Sequence, residues 1–288
     1  MSYEIRKLNA DDFLDELNEI PESPRTLYCA GTLPDPDLIR LVVVGSRKHT
    51  PYGKEVCRTL IQGLRGYPIC IVSGLALGID TIAHTTALDV GLPTIAIPGS
   101  GLSEKVLYPA SNRGLAQRII ESGSCLLSEF EPEFKATVWS FPQRNRIMAG
   151  ISKAVLIIEA EEKSGTLITA RLATEYNRDV LAVPGSIFSE CSRGTHMLLR
   201  LGATPIRDSA DIIEALGLTQ NETPIQNRIA FASLSTEEKM ILSLLEQPLS
   251  RDVLLAQSKM NFSQFTALLS VMEIKGLIRE FMGEVHKN

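Results

Sequence analysis

The sequence predicts an α/β protein: a mostly parallel β-sheet with helices on both faces, then a small, mainly helical domain. Three observations carry this. Between residues 41 and 218, short apolar runs ending in small-residue loops alternate with amphipathic segments. The runs are apolar at successive positions, as strands covered on both faces must be, and the intervening helices supply the cover. A polar, aperiodic stretch at 219–234 then leads into helical periodicity.

The elements follow in order. Residues 41–44 form the first strand, stopped at Gly45, and a helix covers about 51–65. Residues 69–72 end at Ser73-Gly74, and a helix covers about 79–90. Residues 94–97 close on Pro98-Gly99. A helix at 113–122, a strand at 125–127, a helix at 144–151 and a strand at 154–158 come next. A helix at 166–176, a strand at 180–183 and a last pair at 204–206 and 210–216 complete a Rossmann-like array. Open sheets of this kind bind ligands outside the C-terminal ends of their strands, where the strand order reverses. The loops after the strands are therefore where chemistry is sought. Beyond the linker, Ser235 and Glu238 suit the N-cap and N3 of a capping box. Helical patterns at about 236–246, 251–257 and 263–275 and a short strand at 276–281 suggest a winged-helix-like domain. The domains expected are an N-terminal acidic extension (1–40), the Rossmann-like domain (41–218), a linker (219–234) and the winged-helix-like domain (235–288).

Composition excludes several classes. The chain has 288 residues, 44% hydrophobic and 22% charged, enough to bury a core without metals or disulfides. Cys29, Cys57, Cys70, Cys125 and Cys191 are odd in number and show no CxxC spacing. That disfavours a disulfide framework or a zinc site and fits a reducing interior. No apolar stretch nears the roughly 20 residues of a membrane span, so a cytoplasmic protein with no membrane partner is expected. The net charge of −5 is uneven. Residues 1–40 hold four basic and nine acidic side chains, whereas 41–218 net +1 and 219–288 net −1. A local basic site is compatible with this, a broad basic face is not.

Four segments after predicted strands stand out: Gly45-Ser46-Arg47-Lys48, residues 73–80 running on to Ala83-His84, residues 141–146, and residues 161–166. Their shared chemistry is anion binding. Glycine lets backbone approach a phosphate, the next helix start offers free N–H groups and a positive dipole end, and Arg47, Arg144 and Lys163 add charge. GxGxxG, GxxxxGK[ST], GxSxG and HExxH are all absent. Asp80 and His84, at i and i+4, read as a buried hydrogen-bonded pair stiffening the loop rather than an acid/base couple or half a metal site. Phe141 and Trp139 read equally as core and as base-stacking platforms. Glu159, Glu161 and Glu162 crowd the fourth loop without a partner at readable spacing.

The segments SGLALGIDTIAH (73–84), FPQRNRIMAGIS (141–152) and EKSGTLITA (162–170) occur in that order, with YPASN (108–112), LLSEF (126–130) and VPGS (183–186) in support. On these the chain resembles the DNA-processing protein A (DprA/Smf) family from about residue 27 to 218. The resemblance implies a Rossmann-like domain that binds single-stranded DNA, forms a homodimer and helps load the RecA recombinase in natural transformation, with neither catalysis nor cofactor. It implies DNA contacts at Arg47, Ser73, Gly74, Gly78, Phe141, Arg144, Asn145, Lys163, Ser164, Gly165 and Thr166. Two departures are visible: only about forty residues precede the first strand, and His196 stands where the family often has Asn. The rival reading is a Rossmann-like nucleotide phosphoribohydrolase-type enzyme. Pro98-Gly99-Ser100-Gly101 lacks the second glycine and the threonine of that loop. A transcription factor reading through the last domain lacks a basic recognition helix.

Overall fold

Runs of Val, Ile and Leu make strands here because both of their faces are covered. The computed structural model describes residues 3–9, 15–218, 235–245, 249–258, 260–274, 277–281 and 284–287, and the linker expected at 219–234 lies outside them. Two units divide the chain between Glu222 and Thr223.

In the first unit the strands are β1 (Ile5–Asn9), β2 (Thr26–Gly31), β3 (Ile39–Val44), β4 (Ile69–Ser73), β5 (Thr94–Ala96), β6 (Cys125–Ser128), β7 (Ala154–Ile157), β8 (Asp179–Ala182) and β9 (Thr204–Pro205). The helices are α1 (Pro51–Gln62), α2 (Ile79–Asp89), α3 (Arg113–Glu121), α4 (Ser140–Ile151), α5 (Thr166–Glu175), α6 (Arg193–Arg200) and α7 (Ser209–Ala215). The described strands form one sheet in the order β1-β2-β6-β5-β4-β3-β7-β8-β9. It is parallel from β6 to β9, and β2 joins β6, and β1 joins β2, antiparallel. Alternate residues of each central strand feed two apolar layers. Val42, Val44, Cys70 and Val72 meet Ile147, Met148 and Ala170 of α4 and α5. Leu41, Val43, Ile69 and Ile71 meet Cys57, Ile61 and Ala83 of α1 and α2.

The N-terminal forty residues are not set apart from this sheet. They supply β1, β2 and the start of β3, and Leu17 and Ile20 enter the first apolar layer. Their acids also find partners: Glu16 pairs with Arg40, Glu19 with Arg178 at 2.8 Å, and Glu22 lies 4.0 Å from Arg146. Two further differences have local causes. Residues 141–143, which precede the helix expected at 144–151, already lie in α4; Pro142 fits there because a first-turn N–H needs no helical partner. Helix α6 was not among the expected elements: it is only eight residues long, and two of its three buried residues, Gly194 and Thr195, are not strongly apolar.

The second unit holds α8 (Thr236–Leu244), β10 (Leu249–Ser250), α9 (Arg251–Ser258), α10 (Phe262–Ile274), β11 (Ile278–Phe281) and β12 (Glu284–Lys287). The capping box is present: Ser235 N–H donates to Glu238 Oε2 at 2.9 Å and Glu238 N–H to Ser235 Oγ at 3.2 Å. A hairpin of β11 and β12, joined by β10 in the order β10-β12-β11, completes a wing, of which the sequence signalled one strand. Its expected first residue, 276, lies outside the described residues.

Candidate functional site

The chain leaves β3 toward β4 on one side and later returns to place β7 on the other side of β3. The order therefore reverses between β3 and β7, and the loops after these two strands flank the crevice where such sheets bind ligands. A cavity of about 470 Å³ lies there, lined by Ser46, Arg47, Lys48, Phe141, Arg144, Asn145, Ser164, Gly165 and Thr166 among others. Segments read separately in the sequence thus share one site.

Its floor is built by interlocking loops. Gly78 caps α2 at φ +81, where a side chain would collide with Ser46 O, and Ile79 N–H donates to Ser46 O at 3.2 Å. The loop carrying Arg47 therefore rests on the loop after β4. Lys48 N–H donates to Ser46 Oγ at 3.0 Å, which tightens the turn. Thr50 caps α1, accepting from Gly53 N–H at 3.1 Å. Glu159 is buried and accepts from Thr50 N–H at 2.9 Å and Thr50 Oγ1 at 2.5 Å. This carboxylate, ambiguous in the sequence, holds a helix start.

Asp80 and Arg144 brace the centre. Asp80 Oδ2 accepts from Gly74 N–H at 3.1 Å and Ala76 N–H at 3.3 Å. Arg144, only 5% exposed, donates from Nη1 to Gly74 O at 2.6 Å and to Ile97 O, and from Nε to Asn145 Oδ1 at 3.1 Å. Gly74 is required because a Cβ there would strike this guanidinium. Burial pushes the guanidinium down to about 10, against the pull of Asp80. Burial likewise raises the Asp80 carboxyl, against Arg144. The two charges compensate each other inside a scaffold, which a lone buried charge cannot do.

Asp80 and His84 do not bond to each other, contrary to the paired reading. His84 Nδ1 meets Thr94 Oγ1 at 2.7 Å, and burial pushes the imidazole down to about 3, keeping it neutral. Of the two, only Asp80 bonds to the loop.

The crevice surface is charged and partly aromatic. Arg47 and Lys48 are exposed, and the Arg47 guanidinium lies 5.2 Å from the Phe141 ring centroid. Helix α5 begins with Gly165 at its cap and no capping side chain. Thr166 Oγ1 donates to Gly45 O at 3.2 Å and ties α5 to the loop after β3. Its first-turn amides are engaged, Thr166 N–H to Ser164 Oγ at 3.2 Å, Leu167 N–H to Ser164 O at 3.1 Å and Ile168 N–H to Gly165 O at 3.1 Å, so the positive end of the dipole is what this helix start offers an anion.

Other expected residues stand elsewhere. Ser73 is fully buried and its hydroxyl donates to Val43 O at 2.7 Å, so it belongs to the scaffold. Gly74 and Gly78 shape the floor. Lys163 is exposed on the α5 loop beside the cavity but does not line it, whereas Glu161 does. Trp139 packs edge-on to Phe130 and Phe134 and is not part of the crevice. The sequence reading missed Lys48 as a contact residue, although it follows Arg47 directly. The residues 98–101, on which the enzyme reading turned, are buried, and Gly99 lies so close to the Phe141 ring that a Cβ would come within 2.5 Å.

Residues 4–217 match the DNA recombination-mediator protein A family model. The chain belongs to that family. Residues 230–283 match the DprA winged helix domain. Relatives include protein Smf of Escherichia coli, 40% identical over 193 residues, and DNA processing protein DprA of Streptococcus pneumoniae, 40% identical over 218 residues. These alignments cover 67% and 74% of this chain, and 51% and 76% of the respective relatives, so the chain spans about half the length of the E. coli protein. The solved S. pneumoniae DprA superposes with a TM-score of 0.67 at 37% identity, covering 73% of this chain and 74% of the other. DNA processing protein A of Helicobacter pylori, solved for its single-stranded DNA binding mode, gives 0.66 at 32% identity, covering 74% and 96%. Family members are DNA-processing proteins of recombination, and this chain shares their Rossmann-like sheet and winged helix.

Proposed function

We propose that this protein binds single-stranded DNA in the β3–β7 crevice and turns over no nucleotide. The observation that carries the reading is the convergence of Arg47, Lys48 and the N-terminal end of α5 on one cavity at the strand-order reversal. Cations beside the positive end of a helix dipole suit successive phosphates of one strand. Contacts to phosphate fix position without reading sequence, so binding is expected to be largely sequence-independent. Lys163 stands at the rim, where the strand would leave the cavity. Following the family resemblance, the bound strand is protected in the cytoplasm and passed to a RecA-type recombinase in natural transformation.

We also propose a homodimer formed through the α5–α6 face. Ile168, Met197 and Leu201 are exposed there around an open groove of about 780 Å³ between the two helices. Exposed large apolar side chains grouped in this way mark an association surface.

The test is a binding series against salt. Arg47→Ala and Lys163→Ala should each weaken all single strands alike and flatten log affinity against log salt by about 0.7 per lost contact. Lys163→Glu should be worse than Lys163→Ala, since Glu161 and Glu162 flank it. Variants with wild-type affinity and slope would remove the phosphate cradle.

A further inference from the structure

Beside the cradle lies a shallow cleft of about 30 Å³ lined by Arg47, Leu77, Tyr108, Phe141 and Arg144 among others. It is far too small to enclose a base, but its walls are unusual for a surface. Tyr108 and Leu77 are each 48% exposed.

Both side chains stand on fixed backbone. Asn112 Nδ2 donates to Leu75 O at 2.8 Å, Ala76 O at 3.2 Å and Thr81 Oγ1 at 2.9 Å, clamping the loop that bears Leu77. Tyr108 N–H donates to Ser100 Oγ at 3.2 Å, and its ring rests 5.7 Å from Phe141 at 54°. Phe141 itself is half-buried and carries the Arg47 guanidinium on its ring, which occupies the surface a base would need. Tyr108 is thus the aromatic ring with an open face next to the cationic cavity.

We propose that Tyr108 and Leu77 form a stacking shelf for one nucleobase of the strand whose phosphates lie in the cradle. The inference rests on the cradle reading, since Arg47 and Arg144 line both spaces. A pre-organised ring beside a phosphate site offers affinity without sequence preference, because every base has a π-face.

The experiment compares oligo-dT with a strand of equal length and charge carrying abasic sites, by fluorescence anisotropy on the full chain. Tyr108→Ala should weaken oligo-dT by about 5- to 150-fold, the range for one stacked base. It should leave the abasic strand and the salt slope unchanged. Tyr108→Phe should bind as the wild type does, and Leu77→Ala should lose part of the affinity for oligo-dT only. A strand bearing 5-bromouracil, irradiated on the unaltered protein, should crosslink to Tyr108. Equal weakening of both strands by Tyr108→Ala, failure of Tyr108→Phe to restore binding, or crosslinks confined to Trp139 or Phe188 would each overturn the shelf. Failure of the cradle reads out separately, as an unchanged salt slope in Arg47→Ala with the base dependence intact.

Discussion

Two arginines of the crevice differ in what surrounds them, and their variants should differ accordingly. Arg47 is exposed and gains only a ring contact, so its removal should cost little stability. Arg144 is buried against Asp80 and two carbonyls. Removing it takes a favourable charge away from the buried Asp80 and leaves two buried carbonyls without that donor, at about 1–3 kcal/mol for each unsatisfied group. Urea unfolding should show that loss for Arg144→Ala and nearly none for Arg47→Ala. Arg144→Lys should not restore it, since an ammonium cannot span the positions the planar guanidinium reaches. A neutral buried imidazole gives a second residue-scale expectation. His84 titrates near 6.5 when unfolded and near 3 when folded, so its contribution is complete above about pH 6.5 and is lost as pH falls toward 3. His84→Gln should start less stable, having altered the Thr94 contact, yet show a flatter acid limb. An unchanged slope would show that other groups govern acid unfolding. Arg47 was legible as a candidate contact because a cation after a strand-ending glycine has few structural uses. The enclosure of Arg144 was not, because it depends on carbonyls from β4 and β5 loops that the sequence does not place beside it.

The loops after β3, β4 and β7 act as one element-scale unit, held at two glycines of opposite character. Gly78 sits at φ +81 with Ser46 O against its hydrogen, whereas a Cβ on Gly165 meets nothing within 4 Å. Gly78→Ala should therefore lose at least about 1–2 kcal/mol from the left-handed backbone alone. It should also weaken single-strand binding by displacing the Arg47 loop. Gly165→Ala should shift stability by less than about 1 kcal/mol. Thermal melts together with anisotropy separate the two; equal behaviour would mean that the loops are not interlocked. The parallel strands and most helices were readable at this scale, because double-sided burial forces continuous apolar runs. Strand β1 was not: in Ile5-Arg6-Lys7-Leu8 the apolar residues stand three apart and do not alternate, and the surrounding acids suggested an unattached tail. Helix α6 hid for a related reason, since it packs through glycine and threonine.

At the scale of the whole molecule, formal charge is a poor guide to the partner. Three of the nine acids of the first forty residues, Glu16, Glu22 and Glu19, face Arg40, Arg146 and Arg178, so part of that acidity is matched inside the first unit. Self-association is the other property of this scale. Light scattering at tens of micromolar should report a dimer, and Leu201→Glu, which places charge on a side chain 77% exposed, should yield monomers that remain folded. Retention of the dimer in that variant would move the interface away from α5 and α6.

The two borders of the sheet bear on how copies can meet. One ends in β9, a strand of two residues whose second is Pro205, which has no amide hydrogen to donate. The other ends in β1, with the charged Arg6 and Lys7 exposed along it. Both are devices that discourage a neighbouring chain from adding a strand. Where copies meet, they would then touch through side chains and not by extending one another's sheet into a continuous ribbon.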